Sequence, residues 1–411
     1  MRVLIVTQYF WPEGFRINDV VKSLVKRGID VDVLTGKPNY PEGFIYEGYK
    51  ASGCLTESWN GANVFRVPLF PRGKNSSIRL ALNYLSFIVT GITFGPFLLH
   101  NRKYDVIFVY GLSPILLAIP AIFIAWLKRK KLILWVQDLW PQSLSATGYI
   151  KSNFLLRCVE VVVRWTYRHT DLLLVQSRAF ERVVSALAPG KTVVYYPNSV
   201  DSSFASAPDF NNKQPTIEAL ETGFPVIFAG NVGSAQAVEC IVEAASILQA
   251  VTEIRFVIFG NGSKWEWVQD QISERGLVNI YLVGRFPVEA MPEYLQKAEV
   301  LLVSLSDQPI FALTVPNKIQ AYMASGRPIV ASLNGEGARL VMESGAGVSS
   351  PAEDPVALAK AILSLYQMTA EQRRQIGENG RTYYRNHFDH EILMDQLIDH
   401  LNKCVAEKGK L

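Results

Sequence analysis

At 411 residues the chain is too long for one ordinary hydrophobic core, and its length suits two large domains or three small ones. Hydrophobic residues make up 49% of it and charged residues 19%, a globular balance that excludes wholesale disorder. A net charge of +4 is too small to indicate nucleic acid as a partner, and the four cysteines are too widely spaced for a disulfide framework or a zinc site. The opening MRVLIVTQYF is typical of a buried strand and lacks the features of a signal peptide, so a cytoplasmic location is expected.

Apolar runs alternate with helical patterns along the chain, which is typical of parallel sheets covered by helices on both faces. Seven runs precede about residue 197, namely RVLIV, DVDVLT, NVFRV, DVIFVY, KLILWVQ, DLLLVQS and TVVYY. A polar segment broken by prolines follows over 201–223 and is predicted to be a linker. Six more runs come after it, namely PVIFAG, RFVIFG, NIYLVG, VLLVSL, RPIVAS and AGVSS.

The predicted fold class is therefore α/β, with two doubly wound Rossmann-like domains facing a cleft. The first domain is predicted over 1–200 and the second over 224–385. A final helix over 386–411 is expected to pack back toward the first domain.

Two long apolar segments of the first domain, 81–99 and 111–127, raise the question of a membrane. Polar residues recur at steps of three or four along the first segment and argue against a span: Arg79, Asn83, Ser86, Thr90 and Thr93. The second segment ends in the basic cluster 128–131. Two interpretations stay open, since both helices could be buried in the core, or their outer faces and the basic cluster could rest on anionic lipid. A transmembrane span ranks third.

The second domain carries glycine at three strand-to-loop junctions, where a ligand would approach the backbone closely: Gly230–Gly233, Gly260–Gly262 and Gly284–Arg285. In VPNKIQAY, Lys318 lies in the first turn of a predicted helix, a place that already has partial positive charge. Backbone amides, a helix start and a cation around one opening are what a nucleoside diphosphate requires. We therefore expect Lys318 to contact phosphate and Asn317 to cap the helix or donate a hydrogen bond.

Polar residues at the strand ends of the first domain are candidates for the acceptor side. Gln137 and Asp138 end one strand, and Asp138 is either a group that takes up a proton or the N-cap of the next helix. Glu13, Arg16 and Asn18 follow the first strand, and Asn39 and Tyr40 follow the second; the latter pair could line an acceptor channel or form a simple turn. The Asp30–Asp32 pair is predicted to lie within a strand, so no essential metal site is expected.

Several longer motifs extend this interpretation: YFWPEG with IND, RGIDVDVLTGKPNYPEG, WVQDLWPQSL, GNVGSAQ, VGRFP, VPNKIQAYMASGRP and GEGARLV. With them the chain resembles the family 4 glycosyltransferases of the two-Rossmann-domain (GT-B) type, in the bacterial branch that builds O-antigen, capsule and exopolysaccharide. It is most similar to the L-fucosamine transferases of O-antigen clusters. The resemblance implies transfer of a sugar, such as an N-acetylated 6-deoxyhexosamine, from a UDP-sugar to a polyprenyl-pyrophosphate-linked saccharide. Its partners would be the nucleotide sugar, the lipid-linked acceptor and the inner-membrane surface, with no cofactor.

The resemblance also implies roles for individual residues. Gly230, Asn231, Gly233 and Gly260 would approach the donor diphosphate, and Arg285 and Phe286 would hold the nucleobase. The turn and helix start that receive phosphate and sugar comprise Thr314, Val315, Asn317 and Lys318. Asp138, Gln137 and Glu13 are the catalytic candidates, and Arg16, Asn18, Asn39 and Tyr40 the acceptor candidates.

Two departures from the family pattern matter. Many members carry two glutamates separated by seven residues around this helix, whereas this chain has Leu313 and Ala321, so ribose recognition falls to Gln320 or Glu336 or stays unassigned. Ala237 stands where relatives often have glycine. A sugar-nucleotide epimerase on the same fold and a non-enzymatic scaffold that binds nucleotide sugar remain the alternatives.

Overall fold

The computed structural model describes residues 1–74, 76–146, 152–200, 204 and 215–406. The chain divides into two compact units, Met1–Pro197 with Leu393–Leu411, and Asn198–Ile392. Most of the predicted linker over 201–223 lies outside the described residues. Its described end holds a short 3-10 turn, Glu218–Leu220.

The first unit contains an eight-stranded sheet: β1 Arg2–Val6, β2 Asp30–Thr35, β3 Leu55–Trp59, β4 Ala62–Arg66, β5 Val106–Gly111, β6 Lys131–Val136, β7 Leu172–Val175 and β8 Thr192–Tyr195. The strand order is β3-β4-β2-β1-β5-β6-β7-β8, and every pair is parallel except β3 with β4. The sequence predicted seven of these strands and missed β3. That strand forms the edge of the sheet and has no continuous apolar run, because only alternate side chains are partly buried.

The helices of the first unit are α1 Ile17–Lys26, α2 Ser77–Leu98, α3 Ala118–Lys128, α4 Gln142–Ala146, α5 Asn153–Arg168, α6 Arg178–Leu187 and a C-terminal helix, His390–Ala406. Right-handed crossovers place α2, α3, α5 and α6 side by side on one face of the sheet. On the other face, Leu393 and Leu397 of the C-terminal helix join Ile17 and Val21 of α1 in one core cluster.

The segment predicted as a helix over 111–127 forms an α-helix only from Ala118, because Gly111 ends β5, Ser113-Pro114 continues the loop and Ile115–Leu117 forms a 3-10 turn. By contrast, α2 runs without a break through Gly91 and Gly95. A Cβ at Gly91 would lie 2.8 Å from the Cβ of Pro120, so this glycine lets α2 and α3 pack closely.

The second unit contains a six-stranded parallel sheet: β9 Phe224–Ala229, β10 Ile254–Phe259, β11 Ile280–Gly284, β12 Val300–Ser304, β13 Ile329–Ser332 and β14 Gly347–Ser350. Its order is β11-β10-β9-β12-β13-β14, and all six strands coincide with the predicted runs. Its helices are α7 Val238–Ile247, α8 Trp265–Glu274, α9 Met291–Gln296, α10 Pro309–Leu313, α11 Asn317–Ser325, α12 Glu336–Glu343, α13 Pro355–Tyr366 and α14 Ala370–His387. The C-terminal helix, α15, begins at His390 and not at 386, because α14 continues through His387.

Candidate functional site

The loops at the carboxyl ends of β9, β10 and β11 surround a cavity of about 360 Å³ together with the start of α11. This is the end of a parallel sheet at which ligands bind in doubly wound folds. Six of the ten residues predicted for the donor line it: Gly230, Asn231, Gly260, Arg285, Phe286 and Lys318. Loops far apart in the chain thus come together at one opening.

Two of these glycines are required by geometry. Gly230 has a φ of +146°, and a Cβ there would lie 2.5 Å from both Cε and Nζ of Lys318. Gly260 has a φ of +128°, and a Cβ there would lie 1.7 Å from the carbonyl oxygen of Gly230. The two loops and the lysine side chain can approach one another only because neither position has a side chain.

Two cations, Lys318 and Arg285, line the cavity, and Lys318 is the one held beside the Gly230 loop. Its Nζ donates a hydrogen bond of 2.9 Å to Oε1 of Gln236 and lies 4.1 Å from the ring centroid of Phe228. Among the described residues it has no carboxylate partner within ion-pair distance, and burial lowers the pKa of its ammonium to about 7. A cation held in place without a counter-ion is suited to bind an anion.

Another part of the cavity lining is apolar and aromatic. The Phe286 ring meets Phe259 and Tyr294 edge to face, with centroid distances of 5.4 and 4.9 Å. The hydroxyl of Tyr322 accepts a hydrogen bond of 3.0 Å from the backbone N–H of Ala229 and so fixes α11 against β9. Aromatic side chains and a cation in one cavity fit a ligand with a planar base at one end and phosphate at the other.

The other four predicted donor residues do not line the cavity. Gly233 packs against the side chain of Asn231, since a Cβ there would lie 2.6 Å from Nδ2 of Asn231. The Thr314 hydroxyl donates to the carbonyl of Ile310 at 2.8 Å, and Val315 is buried in the core. Nδ2 of Asn198 donates to Oδ1 of Asn317 at 3.0 Å. Thr314, Val315 and Asn317 therefore shape the start of α11, which presents Lys318.

In the first unit, Asp138 lies just beyond β6 and is supported from the loop after β5. Its Oδ2 accepts a hydrogen bond of 2.8 Å from the hydroxyl of Ser113, whose oxygen accepts one of 2.9 Å from Nε1 of Trp140. Burial raises the pKa of the Asp138 carboxyl above its ordinary value, although the Ser113 hydrogen bond acts in the opposite direction. This side chain does not cap the neighbouring helix through any hydrogen bond observed, which leaves it available for proton exchange.

The neighbours of Asp138 differ in their accessibility. Gln137 is buried, and its Nε2 has no hydrogen-bond partner among the described residues. Arg16 is half-buried. Burial raises the pKa of Tyr110, the charge of Arg16 lowers it, and the charge of Asp138 raises it. Within the described part of the chain Arg16 forms neither an ion pair nor a side-chain hydrogen bond.

Glu13 and Asn39 are internal links between loops. Glu13 is 1% exposed, and Oε1 of its carboxylate accepts hydrogen bonds of 2.7 Å from the backbone amides of both Asn39 and Tyr40. Burial raises the pKa of Glu13 to about 7. The Asn39 side chain is fully buried, and Asn18 is bonded to the backbone of Glu13 and Trp11. Both asparagines thus have hydrogen-bond partners within the protein, whereas Tyr40 and Phe44 in the loop after β2 have exposed rings.

Comparison with known proteins shows which families the chain resembles. Residues 14–199 match the model of the glycosyl transferase 4-like domain, and residues 223–368 match that of the glycosyl transferases group 1. Both parts of the chain thus match glycosyltransferase families, and the protein is a glycosyltransferase. It is 26% identical over 354 residues to WbjE of Pseudomonas aeruginosa, assigned as a glycosyltransferase, and this match covers 82% of the chain and 84% of the relative. It is 23% identical to WcaI of Escherichia coli K12, assigned to colanic acid biosynthesis, over 79% of the chain and 82% of the relative.

Solved structures show that the enzyme has the GT-B fold. Sucrose-phosphate synthase from Thermosynechococcus elongatus superposes with a TM-score of 0.74 at 16% identity, over 99% of both chains. The Anabaena protein HepE, solved in complex with UDP, superposes with a TM-score of 0.71 at 14% identity, over 98% of the chain and all of HepE. The predicted fold class is confirmed.

The enzyme lacks both glutamates of the family pattern, and neither expected replacement lines the cavity. Gln320 is buried, and in the amide orientation that pairs donors with acceptors its nitrogen donates to the carbonyls of Pro316 and Asn317. Glu336 is paired with Arg339 at 2.9 Å. Ala321, at one of the two glutamate positions, does line the cavity. The second departure is at Ala237, which adopts a φ of +46°. Glycine adopts this conformation without strain, which explains why relatives often have glycine at this position.

The basic cluster 128–131 of the first unit is less available than its sequence suggests. Nζ of Lys128 donates to the backbone carbonyls of Leu99 and Arg102 at 2.7 and 2.8 Å. Lys131 is paired with Asp171 at 2.8 Å. Two of the four cations, Lys128 and Lys131, therefore hold the fold together.

Proposed function

We propose that the enzyme transfers an N-acetylated 6-deoxyhexosamine, such as L-FucNAc, from a UDP-sugar to a polyprenyl-pyrophosphate-linked saccharide during O-antigen or capsule synthesis. The observation that carries this proposal is the cavity of the second unit, which combines aromatic side chains with the ammonium of Lys318. Among the described residues, this ammonium has no carboxylate partner. That HepE was solved with UDP and that WcaI is assigned to colanic acid biosynthesis support the nucleotide and the class of product. The choice of sugar rests on the motifs shared with L-fucosamine transferases.

The chemistry follows from the two groups described above. The bond between the anomeric carbon and the distal phosphate oxygen breaks, and its electron pair leaves with UDP. The ammonium of Lys318 and the backbone amides of the Gly230 loop stabilise the charge that develops on this diphosphate. A new bond forms between the anomeric carbon and the acceptor hydroxyl, whose proton passes to the Asp138 carboxylate.

The surface of the first unit supports peripheral attachment to the cytoplasmic face of the inner membrane. Helix α2 is long and apolar enough to cross a bilayer. Only 22% of its most apolar 18-residue stretch is buried inside the protein. Three residues of its polar stripe are bonded inward: Asn83 donates to the carbonyl of Phe70, the hydroxyl of Ser86 accepts from the N–H of Phe70, and that of Thr90 donates to the carbonyl of Pro68. Arg79 and Thr93 of the same stripe are exposed. The apolar side of α2 is left outward, the reverse of an ordinary surface helix.

Neighbouring helices extend this apolar surface. Trp126 and Leu127 at the end of α3 are 72% and 50% exposed. On α5, Phe154, Val161 and Trp165 are exposed along one stripe. A contiguous apolar patch on a protein surface marks a place of interaction, and helices of this kind lie in the interfacial region of a bilayer.

The test is a transfer assay with the purified enzyme, a panel of UDP-sugars and polyprenyl-pyrophosphate-linked saccharides, read by mass spectrometry of the lipid product. We expect one sugar to be added and UDP to be released in equal amount. Lys318→Ala should abolish most of this transfer, whereas Lys297→Ala should not, since Lys297 pairs with Glu221 and does not line the cavity. Conversion of the donor sugar in the absence of any acceptor would contradict the proposal and indicate an epimerase.

A further inference from the structure

Two loops of the first unit are packed together by a pair of glycines. Gly43, in the loop after β2, has a φ of +83°, and a Cβ there would lie 2.3 Å from the carbonyl oxygen of Gly73. The N–H of Gly73 donates to the carbonyl of Gly43 at 2.9 Å. The contact brings the segment before α2 against the loop that carries Tyr40 and Phe44.

Three cations come together at this contact. The guanidinium of Arg72 lies 4.9 Å from the ring centroid of Tyr40, and Nζ of Lys74 lies 5.6 Å from that of Phe44. The side chain of Arg79, in the first turn of α2, packs over Gly73, where a Cβ would lie 2.6 Å from its Cδ. Lys74 and Arg79 are exposed and Arg72 is half-buried.

These charges are not neutralised within the part of the chain that the structure describes. None of the three forms an ion pair with a described residue. The sequence contains no aspartate or glutamate between Glu57 and Asp105, a stretch that includes the whole of α2. The amino end of a 22-residue helix adds further positive potential beside Arg79.

An apolar stripe starts at the same place. Ile78, Leu82, Leu85 and Val89 follow one another at helical spacing along α2, and their side chains are between 43% and 75% exposed. At 1.5 Å per residue the stripe extends about 16 Å away from the cations. Two cations on aromatic rings, with Arg79 beside them, are thus followed directly by an apolar stripe.

We propose that Arg72, Lys74 and Arg79 bind the diphosphate of a lipid-linked acceptor, and that its isoprenoid chain lies along the stripe of α2. The inference rests on the proposed function and names the acceptor site of that same enzyme. A diphosphate is compact and multiply charged, so it can contact three cations at once, whereas a phospholipid head group offers one phosphate. The aromatic rings below the cations offer apolar faces for a sugar attached to the diphosphate.

Vesicle binding separates this site from general attraction to acidic lipid. The probes are phosphatidylcholine vesicles with a small fraction of undecaprenyl diphosphate, and vesicles of equal surface charge made with phosphatidylglycerol. We expect the full-length enzyme to bind the first more tightly. The triple variant Arg72→Gln, Lys74→Gln, Arg79→Gln should lose at least about tenfold in affinity for them, because each basic residue at such a surface contributes to binding.

Matched variants make the result specific. Lys22→Gln, Lys26→Gln and Lys403→Gln remove three exposed lysines from α1 and α15, on the other side of the sheet, and should leave the affinity unchanged. The variant Lys74→Arg, Arg79→Lys keeps the charges and should bind like the wild type. UDP affinity, measured by calorimetry, should be unaffected in all of them because the donor cavity lies in the second unit.

Three results would overturn the inference: equal binding to both kinds of vesicle, an unaffected triple variant, or the same loss in the lysine control. These outcomes are separable from failure of the proposed function. Diphosphate binding that depends on the three cations would support the site even if no sugar were transferred, and transfer that ignores all three would refute the site and leave the glycosyltransferase activity standing.

Discussion

The pH dependence of UDP binding offers a direct test of Lys318. Burial lowers the pKa of its ammonium in the folded enzyme to about 7, well below the ordinary lysine value of 10.5. The lowered pKa means that the empty cavity favours the neutral amine over the ammonium. The free-energy cost of burying the ammonium is greatest below pH 7, where the lysine is mostly charged in the folded enzyme. A bound diphosphate favours the charged form, so binding should be accompanied by proton uptake.

The magnitude follows from the two pKa values. In the free enzyme about half of the Lys318 side chains are charged at pH 7 and about one in a hundred at pH 9, so UDP affinity should fall about fiftyfold between these pH values, or roughly 2.3 kcal/mol. The phosphate itself does not contribute over this range, because its last ionisation has a pKa near 6. Removing the charge by Lys318→Met should weaken binding at pH 7 by about 1.5–3 kcal/mol and abolish the slope.

Calorimetry in pairs of buffers with different ionisation enthalpies measures both affinity and proton uptake. We expect uptake to approach one proton per UDP near pH 8 in the wild type and to disappear in Lys318→Met. The variant Lys297→Met, which changes an ion-paired surface lysine, should behave like the wild type. A flat affinity between pH 7 and pH 9, or an unchanged slope in Lys318→Met, would refute the assignment of this lysine to the diphosphate.

Asp138→Asn should lower kcat by about 10²–10⁴-fold, leave UDP affinity unchanged and remove the acid limb of the pH profile, whereas a change in UDP affinity would show a structural role. Glu13→Gln should reduce the free energy of unfolding by about 1–3 kcal/mol in denaturant titrations, because its new NH₂ group cannot accept from all the backbone amides that the carboxylate satisfies. Activity should survive excess EDTA, since the described residues contain no cluster of His, Cys, Asp and Glu able to hold a metal ion, and loss of activity restored by Mg²⁺ would contradict this expectation. Leu82→Ser with Leu85→Ser should reduce co-sedimentation with anionic liposomes and Val278→Ser should not, because all three side chains are exposed but only the first two belong to α2.

Sequence patterns predicted the features that depend on local chemistry. Every strand with a continuous apolar run was found, because burial on both faces leaves a clear signal. One cavity was predicted from the glycines that end β9 and β10 and from Lys318 in the first turn of α11, and all of them line it. The prediction worked because parallel strands present their carboxyl ends at the same edge of a sheet. The missed strand β3 has no such run, and its alternating pattern is short.

Contacts distant in sequence decided what the patterns could not. Asn39 follows a strand, as a site residue would, yet it is buried. Its Oδ1 accepts hydrogen bonds from Nδ2 of Asn83 and from the backbone N–H of Arg72, which are distant in the chain. Lys128 is likewise part of a basic run in sequence and a bridge between two carbonyls in the fold. Whether a polar residue is a ligand or a structural link depends on partners that no local spacing reveals.

Helix α2 shows the same limit in a form that bears on function. Its polar stripe is expected to face solvent in a soluble protein, and from sequence that stripe argued against a transmembrane span. In the structure the loop over 67–70 offers backbone groups to Asn83, Ser86 and Thr90, so the polar side is satisfied internally and the apolar side faces outward. Moving hydroxyl groups and an amide from water to backbone partners changes the free energy little, because their hydrogen bonds are replaced. Leaving Ile78 and Leu85 in water loses the free energy of burying them, unless another apolar phase covers these side chains. The orientation of α2 is therefore best explained if a lipid bilayer supplies that phase, which is also where a polyprenyl-linked acceptor would be found.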